Sequence, residues 1–105
     1  MPVKFRVEIT RTAEADAGEI WRFIGRDSPE AADRFVRELE KQVGTFERFP
    51  ERCPLISENA LLGTTYRHLL CGDYRTIFRV SSRTVLVLRI VHGTRLLDSS
   101  MFAAP

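Results

Sequence analysis

The sequence is poor in the residues that build metal and redox sites. It has two cysteines and two histidines in 105 residues. Cys53 and Cys71 lack metal-ligand spacing, and two histidines are too few to complete a zinc site around them. They read as free thiols of a reducing cytosol, with a disulfide between them as the other arrangement, and no metal or cofactor is expected. Long apolar runs are also missing. The longest candidate, Val85-Leu86-Val87-Leu88, is cut off by Arg89, well short of the roughly 18–20 residues of a membrane span, so no membrane partner is expected. The first residues, Met1-Pro2-Val3-Lys4-Phe5-Arg6, lack the apolar core of a signal peptide; a cytoplasmic protein is expected. A large charge of one sign is absent too: sixteen Lys and Arg against fourteen Asp and Glu leave +2. Bulk composition therefore excludes a polybasic nucleic-acid binder. There is no internal repeat, and the length allows one domain over residues 1–105.

What is present is strongly patterned. Residues 3–10 alternate, with Val3, Phe5, Val7 and Ile9 on one side and Lys4, Arg6, Glu8 and Thr10 on the other, the pattern of a half-buried strand. Thr12 is then placed to cap a helix, with Glu14 and Asp16 near its N-terminal dipole. Ala13, Ala17, Ile20 and Ile24 form one stripe, and Trp21 and Phe23 flank it. The resulting apolar band is wide enough to meet more than one element. A second helix opens at Asp27-Ser28-Pro29-Glu30, capped by Ser28 or by Asp27, and runs to about Arg48. Its core residues are Ala32, Phe35, Val36, Leu39, Val43 and Phe46. The short link makes the two helices an antiparallel hairpin. After a loop to about Gly63, strands are expected over 65–71, 74–81 and 84–92, with turns at Gly72-Asp73 and Ser81-Ser82-Arg83. The fold expected is α+β: β-α-α-β-β-β, a four-stranded antiparallel sheet with the α-helical hairpin on one face.

A three-residue turn at 81–83 pairs Phe78 with Leu86 and Val80 with Thr84. It turns Phe78, Val80, Leu86, Leu88 and Ile90 toward the helices. The other face receives Arg75, Ile77, Arg79, Val85, Val87 and Arg89, with Arg75 directly across from Arg89 and Arg79 across from Val85. Like charges across a strand pair repel, so the face calls for a nearby carboxylate, such as Asp73 or Glu8, or for an external anion. Arg67 joins this face or the opposite one, depending on a one-residue slip at Gly72-Asp73. From Tyr66 to Arg95 there are six arginines against one acid, Asp73, whereas acids concentrate in the helices. The small net charge is a sum over two unlike halves.

Several segments together resemble the RelE/ParE superfamily of bacterial type II toxin–antitoxin toxins. They are Asp27-Ser28-Pro29-Glu30-Ala31-Ala32, Phe49-Pro50-Glu51-Arg52-Cys53-Pro54-Leu55, Tyr66-Arg67-His68-Leu69-Leu70, Gly72-Asp73-Tyr74-Arg75-Thr76-Ile77-Phe78-Arg79-Val80, and Val87-Leu88-Arg89-Ile90-Val91-His92-Gly93-Thr94-Arg95. The resemblance implies a growth-inhibiting toxin neutralised by a cognate antitoxin. The RelE-like branch cuts mRNA in the ribosome. There Arg75 would contact the scissile phosphate and His92 would serve as a terminal-strand general acid. The ParE-like branch keeps the fold and poisons DNA gyrase. No lysine follows Lys41 and no tyrosine follows Tyr74, so residues that several RelE-like enzymes use are missing. Glu51 and Glu58 match no motif position as a base. The Phe49–Pro54 wording favours the ParE-like branch, with a ribosome-dependent ribonuclease as the alternative. The resemblance thus implies target or anion contacts at Arg67, Arg75, Arg79, Arg89 and Arg95, and antitoxin contacts at Trp21 and Phe23. On this reading Arg75→Ala weakens toxicity and spares the fold.

Overall fold

The computed structural model describes residues 4–102. Val3 of the alternating segment and the last residues of the tail lie outside them. The first strand, β1, spans Arg6–Ile9. Two helices follow, α1 over Arg11–Gly25 and α2 over Pro29–Thr45. A short 3-10 turn at Pro50–Arg52 and a one-turn helix α3, Asn59–Leu62, occupy the long connection. Strands β2 (Arg67–Cys71), β3 (Tyr74–Ser81) and β4 (Thr84–His92) complete the sheet.

The caps explain where the helices begin. Thr10, not Thr12, starts α1. Its Oγ1 accepts from the Ala13 N–H at 3.0 Å, and its hydroxyl donates to the Leu88 carbonyl at 3.0 Å. Ser28 caps α2 by accepting from the Ala31 N–H at 3.1 Å, with Pro29 at the first helical position.

The sheet order is β1-β4-β3-β2. β2, β3 and β4 form the antiparallel meander, but β1 lies parallel to β4. The sheet is therefore mixed, which corrects the expectation of a fully antiparallel one. The cause is the direction of the helices. α1 continues along β4, with Ala13 packed near Val85 and Val87, and Asp16 reaching Arg89. α2 returns, so that the Glu47 carbonyl accepts from the Phe5 N–H at 2.8 Å beside the start of β1. β2 thus sets out from the same end as β1, and the third strand of the meander runs parallel to both.

The turn chemistry also shifts the last hairpin. Ser81 pairs with Thr84 across a two-residue turn, and Ser82 takes a positive φ of 55°. Farther on, Phe78 pairs with Val87 and Ile77 with Arg89, which leaves Leu88 as the extra residue of a β-bulge. The bulge lets Val85, Val87 and Ile90 all face the helices. It also sends Leu86 and Leu88 to the other side. The expected faces of residues 85–88 are thereby reversed, whereas Phe78, Val80, Ile77, Arg75 and Arg89 keep theirs. Arg75 pairs with Val91 rather than Arg89, and Arg79 with Leu86 rather than Val85. Arg67 sits opposite Phe78, on the helix side.

Both faces are covered. Phe46, Ala13, Phe78, Val85 and Val87 form one cluster under the helices, and Ile20, Phe35, Leu39, Cys71 and Ile90 another. Beyond the sheet, Ile77 and Val91 are closed over by Ile56, Leu97 and Met101. These come from the α3 connection and the C-terminal segment.

Candidate functional site

The arginine face is built from three distant parts of the chain. Arg75, 5% exposed, projects from the middle of the sheet onto Glu58, the residue before α3. Its Nη2 donates to Glu58 Oε2 at 2.5 Å and to the Arg95 carbonyl at 2.9 Å, while Nη1 donates to Oε1 at 3.3 Å. Glu58 is held in place by its turn. Asn59 donates to the Tyr66 carbonyl and accepts from the Tyr66 N–H, both at 2.9 Å, and it also accepts from the Thr64 hydroxyl at 2.7 Å. The Arg75 hydrogen bonds bring the Glu58 pKa down to about 2, against the opposing effect of burial.

His68, on β2, completes the group. Its Nδ1 lies 3.4 Å from Arg75 Nη1, and a guanidinium can only donate. Nδ1 therefore accepts, which places the imidazole proton on Nε2. Burial lowers the His68 pKa, the Arg75 charge lowers it further, and Glu58 partly opposes both. The result is a neutral imidazole against a neutralised ion pair.

Arg89 makes the second pair. β4 runs beyond the end of β1, so its edge there has no strand neighbour. Asp16 of α1 fills that place. It accepts from the Ile90 N–H at 2.9 Å, from Arg89 Nε at 2.7 Å and from Arg89 Nη2 at 3.0 Å. Arg89 Nη1 donates to the Met101 carbonyl at 3.0 Å.

The other residues singled out in the sequence scatter. Arg67 donates to the carbonyls of Cys53 at 2.7 Å and Glu51 at 3.1 Å, holding the loop behind α2. Arg79 and the Arg95 side chain are exposed, and neither forms an ion pair among the described residues. His92 faces the helix side, 5.5 Å from the Tyr74 ring, and its Nδ1 lies 2.8 Å from the Thr94 hydroxyl. The sheet therefore separates Arg75 from His92. Trp21, 45% exposed, donates to Asp33 at 3.2 Å. Phe23, 61% exposed, borders an open groove of about 550 Å³ with Ile20, Tyr74, His92, Arg22 and Arg26. Cys53 and Cys71 are buried free thiols, and burial raises both pKa values. No group of three or more His, Cys, Asp or Glu converges among the described residues.

In the sequence Asp16 reads as a helix-dipole residue and Glu58 as an acid with no partner, and His68 carries no signal of its own within Tyr66–Leu70. The Glu58–Arg75 pair spans 17 residues and Asp16–Arg89 spans 73, separations at which no local pattern operates. The one available signal was the need for carboxylates near the strand arginines.

A family model described as "ParE toxin of type II toxin-antitoxin system, parDE" matches residues 7–97. No curated protein matches the chain. Among solved structures, the chain resembles one from the chromosomal ParDE toxin–antitoxin system of P. aeruginosa. The TM-score is 0.67 and the identity 23%, over 85% of this chain and 96% of that one. It also resembles a chain of the RelBE2 toxin–antitoxin complex from Mycobacterium tuberculosis. There the TM-score is 0.55 and the identity 26%, over 86% of this chain and 99% of the other.

Proposed function

The chain belongs to the ParE toxin family of type II toxin–antitoxin systems, and we propose that it arrests growth in the cytoplasm by poisoning DNA gyrase and is restrained by a cognate antitoxin. The observation that supports gyrase over RNA is the state of Arg75. Both terminal nitrogens of its guanidinium are committed to Glu58, His68 and the Arg95 carbonyl. Its charge is neutralised, and its expected acid–base companion, His92, lies across the sheet. A poison that acts by binding a protein needs neither group free.

The ribonuclease reading has one observation in its favour. Neutral His68 beside Arg75 and Glu58 provides an acid–base group next to a cation. That route requires Arg75 to leave Glu58 for a phosphate.

A supercoiling and DNA-cleavage assay with purified gyrase, run beside a translation reaction read by primer extension, separates the two. Accumulating cleaved DNA with intact mRNA is expected. If gyrase ignores a large excess of the protein while ribosome-bound mRNA is cut, the reading fails.

The antitoxin is proposed to cover the end of α1, where Phe23 and the groove beside it are open. Phe23→Asp is expected to weaken the toxin–antitoxin complex by at least tenfold in titration calorimetry. Unchanged affinity would place the antitoxin elsewhere.

A further inference from the structure

Arg67, Arg75 and Arg89 are committed within the fold, but other cations are left free to meet a partner. On α2, Arg37, Lys41, Gly44 with Thr45, and then Arg48 just past the helix end recur at steps of three and four. That spacing stacks side chains turn upon turn along one face. All of these positions are exposed, and the three cations form no ion pair among the described residues. Glu40 and Glu47 lie on another flank of the helix, lining a groove with Val7 and Val43, and Glu47 is engaged by Lys4.

The basic row continues into Arg52, whose guanidinium is held in position. Nη2 donates to Thr45 Oγ1 at 2.9 Å, and the Thr45 hydroxyl in turn donates to the Gln42 carbonyl at 2.6 Å. Among the described residues Nη1 has only the Cys53 sulfur, at 3.7 Å, so much of the donor fork still faces outward. Phe49 stands 65% exposed ahead of buried Pro50. Lys41, Gly44, Thr45, Arg48, Phe49 and Arg52 enclose a hollow of about 450 Å³. A Cβ built on Gly44 would meet nothing within 4 Å, so the floor of the hollow is open.

We propose that this row is a binding site for single-stranded nucleic acid, with Arg37, Lys41, Arg48 and Arg52 on successive phosphates and an unpaired base stacked on Phe49. Cations that track a backbone, combined with an exposed aromatic, are the two parts such sites use. The proposal goes beyond the toxin reading and does not depend on which target that toxin has.

The test is fluorescence anisotropy of the intact protein at low salt. Labelled oligo-dT and oligo-U of about 12 nucleotides, within the usual site size, are compared with a duplex, and polyglutamate serves as competitor. Single strands are expected to bind more tightly than the duplex, and the better of the two sugars names the source. The slope of log K against log salt should be about −2 to −3, for three to four phosphates. The double variant Lys41→Glu/Arg48→Glu is expected to abolish binding. Phe49→Ala should weaken it about tenfold without changing the salt slope. Gly44→Gln should weaken it by filling the hollow without altering charge. Arg79→Glu, on the far side of the sheet, should change it less than twofold, and thermal melts check that each variant is folded. The proposal is overturned by absence of binding, by a preference for duplex, by an equal loss from Arg79→Glu, or by displacement with polyglutamate as effective as with unlabelled oligonucleotide.

Discussion

On the helix side of the sheet, Phe46 lies against Phe78 with ring centroids 4.2 Å apart, and Ala13, Val85 and Val87 close around them. On the far side, Ile77 and Val91 have an apolar cover of their own, but Arg75 and Arg89 stand beside them, each bonded to a carboxylate brought from elsewhere. The helix side is held by removal of hydrocarbon from water, which is tolerant of direction. The far side depends on paired charges whose separate desolvation is costly and whose partners must arrive together. The first kind of surface can lose a methylene and repack, whereas the second fails when one partner is removed.

The largest effects should come from breaking that difference. Glu58→Ala or Arg75→Ala leaves a buried charge alone and is expected to cost about 3–5 kcal/mol in urea unfolding. Replacing both together with apolar residues, as in Glu58→Leu/Arg75→Met, should recover most of that loss. Two independent, additive losses would contradict the pairing. The resemblance implies that Arg75→Ala spares the fold, whereas the burial of Arg75 against Glu58 points to a loss of stability. A Phe46→Ala change on the helix side is expected to cost a similar ~3–5 kcal/mol, but no second substitution across the contact should restore it.

Acid should sharpen the same contrast. The Arg75 hydrogen bonds hold the Glu58 pKa down to about 2 in the folded protein, against an ordinary 4.5, so the folded state binds fewer protons than the unfolded one in between. The stability this provides is complete above about pH 4.5 and disappears as pH falls through 2. His68, held below its usual 6.5, adds a shallower loss that begins near that pH. Melts from pH 7 to 2 should therefore show a steeper decline in the parent than in Glu58→Gln. Parallel curves would remove Glu58 from the account.

Asp16→Ala frees both Arg89 and the Ile90 N–H, and about 2 kcal/mol is expected from hydrogen bonds to a charged group. Faster exchange of the Ile90 amide should accompany it. At the small end, Arg79→Ala is expected to change stability by less than about 0.5 kcal/mol, since nothing in the fold depends on its side chain.

Much of this architecture was legible in the chain. Period-two runs and runs at steps of three and four placed α1, α2 and all four strands, though not the one-turn α3, and alternation put Arg75, Arg79 and Arg89 on one face. The parallel setting of β1 was not legible, because alternation reports which face a residue takes and not which way a strand runs. Leu88 as a bulge was equally hidden. Val85-Leu86-Val87-Leu88 is apolar at every position, so its pattern accepts either face, and the turn at Ser82 decided the matter. The partners of the arginines escaped for a different reason. Asp16 and Glu58 meet them only after the helices and the α3 connection have folded over the sheet.

The pairing of β1 with β4 sets Arg6 beside Thr84 and Ile9 beside Val87, and just past it the Thr10 hydroxyl reaches Leu88, 78 positions along the chain. During synthesis the first strand emerges well before β4, the strand it pairs with. Contacts of such long range form late and slowly, and a nascent chain halted before Thr84 has no strand on which β1 can dock. The architecture therefore times its own completion. A fragment released before Thr84 is not a smaller version of the protein but an unfinished one, and the assembled sheet comes into being only once β4 has been made.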